Sequence, residues 1–346
     1  MIQCAAVPRN RGFELARAAR LAASVLACAV LAASALPAAG QGADQYPSRP
    51  VKMIVPYGPG GATDIIARHL ANKLNEVMGQ SFIVENKPGA SGNIALDFVA
   101  KSAPDGYTLF VGNVSTNTIN ENLFAKTLQS KPSRDLVAIT KLVEIPHVLA
   151  VNPSFPANTV AEAIALLRKS PGKFNYASAG LGSYPQLDMM KLLKATGTEM
   201  THVPYKGGAG QMIPSLITGE TQMAFINLSS TIEHIKAGKI RAIATTAPSR
   251  LPELPNVATM AEQGYPGIGT NAWQALFAPA ATPKPIVEKL FNAAAGILNR
   301  PEMKEMLARQ MLTVTVSKSP QDFAELVQKE SQAWGDFIRE NKISID

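Results

Sequence analysis

Four short segments concentrate backbone and hydroxyl donors. They are Pro56-Tyr57-Gly58-Pro59-Gly60-Gly61-Ala62-Thr63-Asp64, Pro88-Gly89-Ala90-Ser91-Gly92-Asn93, Gly112-Asn113-Val114-Ser115-Thr116-Asn117 and Ala177-Ser178-Ala179-Gly180-Leu181-Gly182-Ser183. Glycine lets a backbone approach a ligand closely. A loop that opens a helix adds free N–H groups and the positive end of the helix dipole. The chemistry this suits is anion binding, with the dipole worth ~0.3–1 kcal/mol when exposed and up to ~2 when partly buried. Turns use the same residues in any protein, so each segment alone is a weak signal. Four of them after successive strands are a stronger one. In the first, Thr63 or Asp64 is also expected to cap the following helix, where Asp64 would compete for the N–H groups. The anion is then expected on the Gly60-Gly61 backbone beside it, or bridged by water.

Signatures of catalysis fail one by one. The four histidines, His69, His147, His202 and His234, form no His-Glu-x-x-His pattern and stand at no ligand spacing from one another or from cysteine. A structural role is expected for each. There is no Gly-x-Ser-x-Gly elbow and no phosphate-binding Gly-x-x-x-x-Gly-Lys-Ser/Thr loop. Gly207-Gly208-Ala209-Gly210 does not complete a dinucleotide fingerprint. No cofactor and no metal are expected.

The elements that must position the loops alternate between strand and helix. Strands are expected at 52–55, 82–85 and 108–111, and helices at 64–78 and 94–101. The rhythm restarts at His147, with strands at 147–151, 174–177, 201–203, 223–226 and 240–245. Helices are expected at 160–169, 183–196 and 211–218. A Pro- and Gly-rich stretch, 248–269, precedes an extended run at 273–278 and helices at 285–298, 302–310 and 321–341. This alternation means α/β architecture with βαβ units and mostly parallel sheets. The extended pieces near 147 and 275 suggest two crossovers. Residues 46–146 with 271–346 would then form lobe 1, and 147–270 lobe 2, with the carboxyl ends of the strands facing a cleft.

Residues 1–40 are of a different kind. Arg9, Arg11, Arg17 and Arg20 precede an apolar run from Leu21 to Leu36 and small residues at Ala38, Ala39 and Gly40. This is the layout of a signal peptide, and the run is short of the ~20 residues that span a bilayer. Val25-Leu26-Ala27-Cys28 loosely resembles a lipoprotein box, but the apolar run continues past it and a soluble mature form is expected. Both cysteines, Cys4 and Cys28, would leave with the leader. So would +3 of the formal +7, since four arginines and one glutamate lie there; the remaining +4 shows no Lys/Arg cluster of nucleic-acid type.

At the level of motifs the chain resembles the substrate-binding proteins of tripartite tricarboxylate transporters, the Bug-type receptors. The resemblance runs from about Tyr46 to the C-terminus. It is carried by Tyr46-Pro47-Ser48-Arg49-Pro50, Val55-Pro56-Tyr57-Gly58-Pro59-Gly60-Gly61 with Asp64 and Ala67-Arg68, and Asn86-Lys87-Pro88-Gly89-Ala90. Further on come Pro104-Asp105-Gly106-Tyr107-Thr108-Leu109, His202-Val203-Pro204-Tyr205-Lys206-Gly207-Gly208, Ala237-Gly238-Lys239-Ile240-Arg241-Ala242, and Trp273 before Ala278-Pro279 and Thr282-Pro283.

The resemblance implies a type II periplasmic-binding-protein fold, two βαβ lobes joined by a hinge of two crossing strands. It implies a periplasmic protein that delivers a small carboxylate to a membrane permease of two subunits, binds no nucleic acid and acts as a monomer. The carboxylate would be held by Tyr57, Gly60, Gly61, Ala62, Thr63 and Asp64 and by Ser178, Gly180, Leu181, Gly182 and Ser183. Ser91, Ser115, Thr116, Tyr205 and Asn227 occupy neighbouring loops. Where family members often carry Asp this chain has Ile226, which argues against an amino-acid ligand. Tyr57, Tyr184 and Tyr205 could flank an aromatic acid or simply pack at the cleft edge. Two alternatives stand beside a transport receptor: a sensory binding protein presenting the ligand to a membrane receptor kinase, and an exported α/β enzyme acting on a small carboxylate.

Overall fold

The first sheet grows from three short apolar runs. Val51–Val55 (β1) pairs in parallel with Phe82–Asn86 (β2) on one side and Thr108–Asn113 (β3) on the other. The crossovers are helices, Ala62–Met78 (α1) and Asn93–Ala100 (α2). Helical spacing puts Ile66, Leu70 and Leu74 of α1 on one face, and all three are fully buried. Gly79 ends α1 in the left-handed region, with φ 69° and its N–H on the Asn75 carbonyl. This computed structural model describes residues 45–270 and 272–343. The leader expected at 1–40, with Cys28, lies outside them.

β3 runs into a π-helical turn, Ser115–Ile119, followed by the short helices Asn120–Leu123 (α3) and Pro132–Asp135 (α4). Leu136–Ile145 (β4) is a ten-residue strand absent from the sequence reading. The chain then crosses at Pro146 into the second sheet.

That sheet contains His147–Val151 (β5), Asn175–Ser178 (β6), Thr201–Pro204 (β7), Met223–Asn227 (β8) and Arg241–Thr245 (β9), in the order β7-β6-β8-β5-β9. Its helices are Val160–Lys169 (α5), Tyr184–Thr196 (α6), Ala209–Thr218 (α7) and Leu228–Lys236 (α8). The chain returns as Ala272–Pro279 (β10), then Lys284–Leu298 (α9), Pro301–Ala308 (α10), Thr313–Val314 (β11) and Pro320–Glu340 (α11). The first sheet therefore reads β11-β4-β10-β3-β1-β2.

Both sheets are mixed, which corrects the expectation of mostly parallel ones. β10 runs antiparallel to β3 and β4, and β5 antiparallel to β8 and β9. The reason is topological: a strand that enters from the other sheet arrives from the opposite end. From Pro47 onward the described residues form one compact unit. The core of the first lobe is aromatic, with Trp273, Phe277 and Phe323 packed at ring separations of 5.5–6.4 Å. The Trp273 indole N–H donates to Glu330 Oε2 at 2.7 Å, so this buried polar atom has its partner.

Candidate functional site

The loop between β1 and α1 keeps the start of α1 clear. Gly61 is the N-cap and no side chain caps the helix. This corrects the expectation that Thr63 or Asp64 caps it: the helix begins before them, so both lie within its first turn. The Thr63 hydroxyl donates to Gln274 Oε1 on β10 at 2.6 Å. The Asp64 carboxylate accepts from Gly60 N at 3.1 Å, Arg68 Nε at 3.0 Å and Asn86 Nδ2 at 2.9 Å. Burial works to raise that carboxyl, and Arg68, Asn86 and Gly60 together hold it below the usual range. Its charge is thus already matched, and it does not compete for the first-turn N–H groups of α1. There is also room beside them. Gly61 is buried, yet no heavy atom outside its immediate chain neighbours lies within 4 Å of where a Cβ would stand.

The second lobe repeats this arrangement at α6. Ser183 is the N-cap, but its hydroxyl turns back to the Gly180 carbonyl at 2.7 Å and caps nothing. The first N–H of α6, that of Tyr184, instead donates to Ser115 Oγ at 3.0 Å. Ser115 comes from the π-helical turn of the first lobe, a device that recurs at functional sites. The Tyr57 hydroxyl stands beside Asn113 and Ser115; burial raises its pKa against the pull of both. A continuous polar line therefore runs from the loop before α1, through Ser115, to the start of α6.

Other contacts close the lobes on one another. Ser91 Oγ donates to the Leu181 carbonyl, and Ser230 Oγ to the Gly60 carbonyl at 3.3 Å. At Gly210 a Cβ would lie 2.7 Å from the Pro59 carbonyl oxygen, so any side chain there would push the loops apart.

Of the residues singled out in the sequence, Tyr57, Gly60, Gly61, Ala62, Thr63, Asp64, Ser91, Ser115, Ser178, Gly180, Leu181, Gly182 and Ser183 fall on these facing loops. The rest do other work. Thr116 is buried within its own turn, its hydroxyl on Asn113 and Asn117. Tyr205 packs its ring against the apolar cluster of the second lobe, with its hydroxyl buried towards Ser215 and Glu220. Asn227 caps α8, its side-chain oxygen accepting from Ser230 N at 3.0 Å. Ile226 packs with Val148, Ala177 and Leu228 in the same apolar cluster, so it is a core position and not a wall of the cleft.

A hinge cluster was missed. His147 and Thr270 lie on the two crossing segments. His147 Nδ1 is 2.9 Å from the Thr270 carbonyl, which can only accept, so Nδ1 carries the proton. Nε2 then accepts from the Tyr184 hydroxyl at 2.8 Å. Burial depresses the His147 pKa to about 3, so the ring is neutral. Asp188, fully buried on α6, accepts from Thr270 N at 2.8 Å and Thr270 Oγ1 at 2.9 Å. Burial pushes its carboxyl up to about 6 although Lys191 Nζ lies 4.0 Å away. The helix whose first turn faces the other lobe is thus tied to both crossing segments. Among the described residues, no three His, Cys, Asp or Glu side chains group so as to hold a metal ion.

Comparison with known proteins agrees with this architecture. Residues 66–343 match the tripartite tricarboxylate transporter family receptor. The chain is 34% identical over 303 residues to protein BugT of Bordetella pertussis, covering 88% of this chain and 92% of that one. Among solved structures it is similar to R. palustris Rpa4515 with adipate, at 34% identity and a TM-score of 0.82 over 86% of this chain and 99% of that one. It is also similar to MatC from Rhodopseudomonas palustris with bound malate, at 32% identity and a TM-score of 0.79 over 84% and 99%. The chain belongs to the tripartite tricarboxylate transporter receptor family, whose solved members share its type II periplasmic-binding-protein fold.

Proposed function

We propose that this chain is an exported receptor that holds a small organic carboxylate between the first turns of α1 and α6 and delivers it to a two-subunit membrane permease. One observation carries the reading. Two long helices, one from each sheet, begin without a side-chain cap of their own, and the Ser115 hydroxyl, beside Tyr57 of the loop before α1, accepts from the first N–H of α6. An oxygen already sits on the Tyr184 N–H, where a carboxylate oxygen would accept. The void beside Gly61 gives a ligand, or its bridging water, a place at the other helix.

Recognition of this kind uses backbone N–H groups and helix dipoles. The nearby guanidinium of Arg68 is committed to Asp64. Closure of two lobes about a hinge follows the binding-protein pattern. Two related proteins have been solved with the dicarboxylates adipate and malate, which places such acids first in a screen.

The test is a thermal-shift and calorimetric panel of malate, succinate, adipate, citrate, benzoate and aspartate. A ligand at 100 times its Kd adds about 2.7 kcal/mol of stability. A rise of several degrees with one or more acids, at one ligand per chain, is the expected result. No shift with any of them would defeat the reading, and consumption of a bound acid would favour an exported enzyme.

A further inference from the structure

Ser178 Oγ lies 2.6 Å from His202 Nε2, the spacing of a nucleophile and its base. The hydrogen directions rule that role out. Gly182 N–H can only donate, and it points at Gln186 Oε1, 2.5 Å away. Gln186 therefore turns its amide nitrogen towards His202 Nδ1, at 3.2 Å. An amide nitrogen can only donate, so Nδ1 bears the lone pair and the proton sits on Nε2. Nε2–H then donates to Ser178, whose own hydrogen goes to the Gly180 carbonyl at 3.0 Å. The Gly180 N–H returns to Ser178 Oγ at 3.2 Å, and the Ser183 hydroxyl shares the same Gly180 carbonyl. The ring thus stands in one directed chain of bonds, from Gly182 through Gln186 on one side to Ser178 and Gly180 on the other. Tyr176 stacks on it at 4.9 Å and 24° and holds its plane. Burial depresses the His202 pKa to about 4, which keeps the ring neutral in ordinary buffers.

We propose that His202, as its neutral Nε2–H tautomer, is the positioning residue of the second lobe's anion loop, setting Gly180 through Ser178 and Gly182 through Gln186. It does not touch the ligand; it holds the backbone that does. The inference rests on the carboxylate reading above for its consequence, though not for its geometry. One donor and one acceptor on separate atoms are needed here, and a side-chain amide carries such a pair without charge. Glutamine in place of His202 should therefore serve where an apolar ring cannot.

The experiment compares His202→Phe, which retains an aromatic ring against Tyr176, with His202→Gln. Three readouts apply: nitrogen chemical shifts of the imidazole at pH 7, hydrogen exchange of the Gly180 and Gly182 amides, and calorimetry with adipate. The wild type should show the Nε2–H tautomer. His202→Phe should speed exchange at both amides and weaken adipate binding, each by about tenfold or more. His202→Gln should recover both to within about threefold. An Nδ1–H tautomer or an imidazolium would overturn the proposal, as would exchange and affinity in His202→Phe within twofold of wild type. If His202→Phe does not fold, Gln186→Met tests the same chain of bonds: Gly182 exchange should rise at least about tenfold, and unchanged exchange would refute the coupling. If wild type fails to bind adipate while the tautomer and exchange results hold, the ligand assignment is at fault and the positioning role stands.

Discussion

Gly61→Ala isolates the anion site from the fold. Gly61 has φ −82° and ψ 162°, which any L-residue adopts, and its added methyl would meet no heavy atom within 4 Å beyond its chain neighbours. Loss of a favourable N-cap glycine costs several tenths of a kcal/mol to about 1. Reduced freedom of the unfolded chain returns about 0.4–1. Stability should therefore change by less than about 1 kcal/mol. The methyl does, however, enter the void beside the first turn of α1. Displacing a carboxylate oxygen or its bridging water there removes a charge-assisted hydrogen bond of about 1.5–3 kcal/mol, or roughly 10- to 150-fold in Kd. Gly61→Val should lose more. Gly60 is a poorer probe, since its φ of 83° makes any substitution strained. Calorimetry with adipate and malate, beside a thermal melt, reads both quantities. Two folded variants with wild-type affinity would place the ligand elsewhere.

Three further outcomes follow from the same geometry. Ser115→Ala leaves the Tyr184 N–H without its partner and should cost about 1–2 kcal/mol in the ligand-free protein, read as a fall of a few degrees in Tm; no change would show that this cross-lobe bond carries no weight. Asp188 has its carboxyl pKa raised by burial to about 6 from 3.8, so its protonated form favours the fold; that stability is present below about pH 4 and lost as pH rises through 6. Wild type should therefore lose roughly 2–3 kcal/mol relative to Asp188→Asn between pH 4 and 7, by chemical denaturation, and parallel curves would refute it. Trp273→Phe strands the Glu330 carboxyl, whose pKa burial already raises, and should destabilise by about 1–3 kcal/mol, more at pH 8 than at pH 5; equal loss at both pH values would contradict the assignment.

The strand and helix rhythm was legible because most elements bury one face. β5 and α5 fall where the spacing put them, at 147–151 and 160–169. β4 was not legible. Its buried positions do not alternate, and two register shifts against β10 break the period of two. The π-helical turn was also hidden, because Ser115, Thr116, Asn117 and Thr118 read as a polar loop although all are buried. Their hydroxyls and amides satisfy nearby backbone and side-chain groups, which sequence periodicity does not report.

The site was legible as glycine and hydroxyl content and not as hydrogen-bond roles. Asp64 looked like a cap, whereas its partner Arg68, four residues on, explains it as a first-turn ion pair. Tyr205, within one of the family motifs, packs in the apolar cluster of the second sheet, and Asn227 in its neighbouring loop caps α8. His147, Asp188 and Thr270 carry no local signal at all. They meet only because the chain crosses between sheets twice, a juxtaposition of residues far apart in sequence.

The central claim is that a carboxylate sits between the first turns of α1 and α6. Amide chemical shifts recorded while adipate is titrated into the folded protein test it most directly. The account predicts the largest changes at Gly61, Ala62, Thr63 and Asp64 together with Leu181, Gly182 and Tyr184, saturating at one ligand per chain. Changes centred instead on the cavity of about 500 Å³ lined by Asn117, Gln328 and Ser331, with both helix starts unmoved, would contradict it.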